Sequence, residues 1–257
     1  MIQSIITSLL TMFVLWLLVK KYPERIQMDQ VHLDQKVLAK KFRVLYFLYA
    51  SGFLIAAGLG AVFMEAVADW LLGIRTKKEE PVQFAIFISP IAFYFGGGFL
   101  ALGIFSRFIL TLIRKLKDEE HYAQFITYLQ RKQNMNVERL NVHLGIAFII
   151  LGAGIYLLAL NTYTLFGKEN VKYSSFWDLG SKSYSYEEIE KIICYDAFEA
   201  PNGNTVYREH YVIKFRDGQS WNSRNQGYDE DDKNDEVFYW LEETLPLELE
   251  FQDMNPE

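Results

Sequence analysis

Hydrophobic positions along the chain fall into two unlike regimes. Up to residue 166, four long apolar runs recur, over 2–19, 44–64, 82–106 and 140–166, or 18, 21, 25 and 27 residues. A hydrocarbon core of about 30 Å takes about 20 helical residues, and backbone polar groups cannot stay unpaired in lipid. The runs therefore predict four transmembrane helices in a membrane region over 1–166. From Thr162 onward the pattern shortens to alternation. Val171, Tyr173, Ser175 and Trp177 share one side of a predicted strand, with Lys172, Ser174 and Asp178 opposite. Further strands are predicted over 189–198, 205–216 and 219–223. They are separated by the turn formers Pro201, Asn202, Gly203 and Asn204, and by Asp217 and Gly218. Val237, Trp240, Leu241 and Leu245 then give an amphipathic helix over 235–244. The expected fold class is a membrane all-α region of four helices, followed over 167–250 by a mainly-β domain that one helix closes. Residues 251–257 are read as a tail.

Helices in lipid lack a hydrophobic force between them, so close packing relies on small residues. Gly52, Ala56 and Gly60 line one face of the second run, and Ala85, Ser89, Ala92, Gly96 and Gly103 recur along the third. These two faces are expected to meet, with Gly145, Gly152 and Gly154 adding small positions in the fourth run. Pro90 ahead of Gly96, Gly97 and Gly98 predicts a kink, because proline removes a helix hydrogen bond and glycines relax the backbone. A discontinuous helix lining a transport path would use the same residues. Transporters place such breaks in paired repeats, however, and no second copy is seen.

No ionisable residue falls near the centre of any run, which leaves ion or proton coupling without a carrier. Glu65 and Asp69 sit one turn apart at the end of the second run, Arg107 at the end of the third and His143 at the start of the fourth. All four can reach headgroup level. Glu65, Asp69 and His143 are the weak polar-site candidates. Between the third and fourth runs, Tyr122, Phe125, Ile126 and Leu129 recur at helical spacing, which predicts a helix packing beside the bundle in preference to one lying on anionic lipid, since Asp118, Glu119 and Glu120 dilute its basic face.

Charge divides the chain at the same place as the hydrophobic pattern. Residues 1–167 hold 17 Lys and Arg against 11 Asp and Glu, whereas residues 168–257 hold 9 against 21. Thirteen basic residues fall in the loops after the first and third runs and six on the other side. By the basic-loop rule both termini are expected to be extracytoplasmic in a multi-pass cell-membrane protein. Residues 2–19 lack a basic leader and a small-residue cleavage site, and read as a retained anchor.

The order of elements in the acidic half carries a resemblance. Tyr184, Ser185, Tyr186, Glu187, Glu188 and Ile189 follow a predicted hairpin, and Phe215, Arg216, Asp217 and Gly218 end a later strand. Over about residues 162–245 this resembles the pleckstrin-homology-like domains that follow membrane helices in bacterial multi-span proteins. The resemblance implies a small bent β-sandwich capped by the C-terminal helix, and it implies a fold more readily than an activity. Such domains are associated with phosphoinositides, which need clustered Lys and Arg. The net charge of −12 over 168–257 disfavours anionic headgroups at this domain and leaves protein recognition, for instance along a strand edge.

Dedicated chemistry is hard to find. His32, His121, His143 and His210 are scattered, Cys194 is the sole cysteine, and the glycine run 96–98 lacks the Lys and Ser/Thr of a phosphate loop. The acidic run 229–232 lacks the alternating ligands and central glycine of a calcium loop. No cofactor, metal or nucleic acid is implied, and the chain leans away from catalysis. The expected partners are the lipid bilayer and a protein, either another protein or a second copy of this chain. The leading expectation is a non-enzymatic interaction or regulatory protein. The alternatives are a small transporter or channel subunit and, more weakly, a membrane enzyme.

Overall fold

The computed structural model describes residues 17, 20–23, 34–78, 82–178, 180–200, 202–226, 231–245 and 249–255. The first apolar run, 2–19, lies outside the described residues apart from residue 17. The chain divides into two compact units, Met1–Phe63 with Phe95–Ala153, and Met64–Tyr94 with Gly154–Glu257.

Among the described residues, four helices with described bounds precede most of the strands: α1 (Gln35–Lys78), α2 (Pro90–Leu116), α3 (Glu119–Gln133) and α4 (Val137–Asn161). Three of them, α1, α2 and α4, are long and apolar enough to cross a membrane. At 44 residues α1 runs about 66 Å, twice a hydrocarbon core, so the predicted 44–64 is only its central part. Val44, Phe47, Leu48, Leu54, Ile55, Leu59, Val62 and Phe63 on α1 are 58–78 % exposed. Exposed apolar area costs about 25 cal/mol per Å² in water and nothing comparable in lipid.

Two of the expected span boundaries are corrected. The run 82–106 divides into a strand, β1 (Phe84–Phe87), and the helix α2. Pro90 is the first residue of α2, where its missing N–H costs nothing, so it starts a helix instead of kinking one. Ser89 precedes it as the cap, accepting from the Ile91 N–H at 3.4 Å. The run 140–166 likewise divides, with α4 stopping at Asn161 and β2 (Tyr163–Phe166) following. An apolar run of four to eight residues cannot be assigned to strand or helix by periodicity, which is why both strands read as membrane span.

In the first unit, α3 is the amphipathic helix expected between the third and fourth runs. Asp118 caps its start by accepting from the His121 N–H at 2.8 Å, and Asn134 ends it with φ at +52°. Phe125, Ile126 and Leu129 are buried, and they share a core with Leu38, Phe42 and Tyr49 of α1 and Leu110 and Ile113 of α2.

Among its described residues the second unit holds two four-stranded sheets. The first runs β1-β2-β3-β4, with β3 at Asn170–Ser174 and β4 at Lys182–Ser185, all antiparallel. The second contains β5 (Ile189–Glu199), β6 (Thr205–Phe215), β7 (Ser220–Asn222) and β8 (Leu249–Gln252), in the order β7-β6-β5-β8. The β5–β6 and β6–β7 turns use Gly203 at φ +78° and Gly218 at φ +83°, where a side chain would be strained. A helix, α5 (Asp231–Thr244), precedes β8. One core joins these parts, with Phe166, Val171 and Tyr173 from the first sheet, Ile192, Ile213, Phe215 and Trp221 from the second, and Val237, Phe238 and Leu241 from α5. Val171 and Tyr173 are buried as their alternation predicts, whereas Trp177 lies in the turn beyond β3 and is 82 % exposed. The Trp221 indole donates to the Thr164 hydroxyl at 2.8 Å, which satisfies the one polar atom of a buried ring.

Candidate functional site

Most of the small residues of the long apolar helices are occupied by neighbouring helices, whereas a Cβ on Gly154 would meet nothing within 4 Å. A Cβ built on Gly60 would strike Ala101 of α2, and one on Gly52 would lie 2.5 Å from the Phe105 ring. Ala56 is half-buried one turn from Gly60, and its neighbour Ala57 brings its carbonyl to 3.6 Å from a Cβ on Gly98. The expected contact between the second and third runs is therefore present, but it uses Gly97, Ala101 and Phe105 of α2. Gly96 and Gly103 turn elsewhere. A Cβ on Gly103 would lie 2.7 Å from the Gly145 carbonyl, and one on Gly152 would lie 2.7 Å from the Gly96 carbonyl. Two pairs of glycines, each seven residues apart, thus meet across antiparallel α2 and α4. Ala92 is half-buried near the start of α2. Ala85 is outside the helices, paired with Leu165 in the first sheet.

The polar candidates find ordinary partners. Glu65 accepts from the Tyr94 hydroxyl at 2.8 Å. His143 bonds through Nδ1 to the Arg139 carbonyl at 2.8 Å and packs on the Tyr22 ring. Asp69 has no hydrogen bond or ion pair among the described residues. No group of three or more His, Cys, Asp or Glu side chains that could hold a metal occurs among the described residues. Asp229 and Glu230 of the acidic run lie outside them. Cys194 is buried, and burial, reinforced by its contact with the Glu209 carboxylate at 3.2 Å, pushes its thiol up to about 12. At neutral pH it is a packed thiol with no nucleophilic character.

What the second unit does present is an open strand edge. Residues 251–257 read as a tail, yet β8 pairs in parallel with β5, placing Leu249 beside Ile192, Glu250 beside Ile193 and Phe251 beside Cys194. Three polar contacts set this register. Lys191 Nζ lies 3.0 Å from the Glu250 carboxylate, the Asn255 N–H donates to the Ala197 carbonyl at 2.9 Å, and Asn255 Nδ2 lies 2.9 Å from His210 Nε2. His210 is buried and stacked on Tyr195, and its Nδ1 lies 3.1 Å from the Arg208 carbonyl. Burial holds its pKa below the usual imidazole range. A neutral ring with the proton on Nδ1 donates to Arg208 and accepts from Asn255, so both ring nitrogens are satisfied without charge.

Held in this way, β8 has β5 on one side and, among the described residues, no strand on the other. Phe251 shares the face of half-buried Leu249 but is 71 % exposed, and Met254 beyond it is 44 % exposed. The sequence around β8 is acidic. Residues 234–257 contain eight Asp and Glu and no Lys or Arg. Periodicity could not show this site, because a four-residue strand after a helix has too short a pattern and its partner, β5, lies some fifty residues away. Compared with protein-family models, curated proteins and solved structures, the chain matches none.

Proposed function

We propose that the chain is a non-enzymatic, multi-pass membrane interaction protein whose acidic β unit docks a protein partner by adding a basic extended segment to β8. The observation that carries this reading is the edge of β8 left open among the described residues, with exposed Phe251 on it in an acidic stretch of sequence. An unpaired edge offers a row of N–H and C=O groups, and proteins normally blunt such edges. Here the blunting is negative charge, which repels a second copy of the same strand while attracting a basic one. Main-chain hydrogen bonds would supply affinity, and Phe251 the apolar anchor.

Residues 2–19 are the fourth span. The two sheets sharing one core with α5 support a pleckstrin-homology-like closure, and the basic-loop count supports both termini being extracytoplasmic. The acidic surface disfavours anionic headgroups at the β unit. The tight glycine contacts support helix packing over a glycine-lined transport path.

The test is selection of random extended peptides against the full chain in detergent micelles, with affinities then read by fluorescence anisotropy. Lys- and Arg-bearing peptides are expected to enrich, to lose binding to Glu250→Pro, and to bind Phe251→Ala about tenfold more weakly. Enriched peptides without basic residues, or basic ones indifferent to both substitutions, would refute the reading.

A further inference from the structure

Where the apolar stretch of α2 ends, the first unit contains a cavity of about 230 Å³ lined by Ser106, Arg107, Leu110, Thr111, Arg114, Tyr122, Glu138, Asn141 and Val142. It is smaller than the roughly 300–1,000 Å³ typical of small-molecule sites, a size for a headgroup more than for a whole ligand. Its depth in a bilayer follows from the helices around it. From Pro90 to Ser106 α2 carries no charge, and Arg107 and Arg114, seven residues apart, bring two guanidinium groups to one cavity. On α4, Glu138 and Arg139 precede an uncharged stretch that lasts to the end of the helix. The cavity thus lies where both helices leave hydrocarbon for headgroups.

The donors in the cavity are only partly used. Arg107 and the Thr111 hydroxyl have no hydrogen-bond partner among the described residues, and Arg114 has a 3.6 Å contact with Glu119, both side chains well exposed, and lies 5.7 Å from the centre of the Tyr122 ring. Asn141 is buried and gives Nδ2 to the Tyr49 hydroxyl at 2.9 Å, which leaves its second N–H. Ser106 spends its proton on the Leu102 carbonyl at 2.7 Å. The opposing charge is Glu138, which accepts from the Tyr122 hydroxyl at 2.8 Å and lies in the first turn of α4, where the helix dipole offsets it. The lining itself sums to +1, and Glu119, an exposed carboxylate 3.6 Å from Arg114, offsets it only weakly, so one phosphodiester neutralises it.

An apolar track leads away from the cavity. Val142 lines it at 38 % exposure, and Ile146 and Ile150 follow one and two turns along the same face of α4 at 45 % and 68 %. A free phosphate ion has no use for such a track, whereas an acyl chain does.

We propose that this cavity holds the phosphodiester of a membrane phospholipid, with Arg107, Arg114, Thr111 and Asn141 as donors and an acyl chain along Val142, Ile146 and Ile150. The site belongs to the first unit and does not depend on how the β unit is used. Bidentate guanidinium contacts orient the phosphate, and the apolar track selects lipid over soluble esters.

Native mass spectrometry of the full chain from micelles tests this, comparing phosphatidylglycerol with diacylglycerol of the same acyl chains and adding millimolar inorganic phosphate as competitor. The phospholipid is expected to bind about tenfold better than diacylglycerol and to lose that advantage in Arg107→Gln, which keeps the aliphatic stem lying over Gly145. Glu138→Gln keeps an acceptor for Tyr122 while removing the repelling charge, and it is expected to tighten binding several-fold, a gain that misfolding does not produce. Equal binding of diacylglycerol, or an unchanged Arg107→Gln, would overturn the proposal. Displacement by inorganic phosphate would overturn its lipid half and assign the cavity to a soluble phosphate compound.

Discussion

Substituting Gly152 by alanine tests the α2–α4 contact at its closest point. The new Cβ would lie 2.6 Å from the Leu100 nitrogen and 2.7 Å from the Gly96 carbonyl oxygen, where ordinary contact starts near 3.4 Å. Both obstructing atoms belong to backbone, so no rotamer change relieves the clash. The helices must instead part by about 0.7 Å along much of their contact. Overpacking of this kind costs about 1–3 kcal/mol. The substitution also gains about 1 kcal/mol of helix propensity, which partly masks the loss. Gly154→Ala corrects for that, since it gains the same propensity two residues along α4 and its Cβ meets nothing within 4 Å. Unfolding both variants in mixed micelles at increasing denaturing detergent, followed by tryptophan fluorescence, gives the comparison. Gly152→Ala is expected to fall about 1–3 kcal/mol below Gly154→Ala. Stabilities agreeing within about 0.5 kcal/mol would show that α2 and α4 are not in close contact at this point.

Three further predictions probe contacts that pattern reading missed. Tyr49→Phe leaves the buried Asn141 amide without its partner and is expected to cost about 1–3 kcal/mol in the same unfolding assay, and adding Asn141→Leu to that variant should recover part of the loss. Arg75→Ala removes a donor 2.6 Å from the Leu160 carbonyl at the end of α4 and a cation 4.4 Å from the centre of the Tyr163 ring. A loss of about 1–2 kcal/mol is expected, with Arg75→Lys intermediate. The His210 pKa is depressed on folding from 6.5, so the stabilisation it accompanies is complete above that value. It is lost progressively as pH falls from 6.5 toward the lower folded value, because the unfolded ring takes up the proton first. Hydrogen exchange of residues 249–255 is therefore expected to accelerate between pH 7 and 5 in the native chain, relative to a neutral-pH control corrected for intrinsic rate, and to lose that dependence in His210→Gln.

The hydrophobic pattern revealed three helices long and apolar enough to cross a membrane, the amphipathic α3 and the strands around Gly203 and Gly218, because each rests on a local period or a turn with one chemical solution. It misplaced the boundaries at Pro90 and Asn161. At each, an apolar strand abuts an apolar helix, and only pairing with a distant strand separates the two, Phe84 with Phe166 and Tyr163 with Ser174. The glycines show the same limit. Their spacing made Gly96 and Gly103 readable as packing positions, but nothing in the spacing says that they face Gly145 and Gly152 while Gly97 faces Gly60. Rotation about a helix axis is set by all its neighbours at once. The β8 edge and the Arg107 cavity depend wholly on residues brought together from separate elements, so no local signal could have announced either.

The docking of a basic segment on β8 is tested most directly by amide hydrogen exchange on the full chain in micelles, with and without the peptide that selection yields. Slowed exchange over 249–252, with no change at β7, the other edge of the same sheet, is the result expected. Protection at β7, or anywhere else with β8 unaffected, would contradict the account.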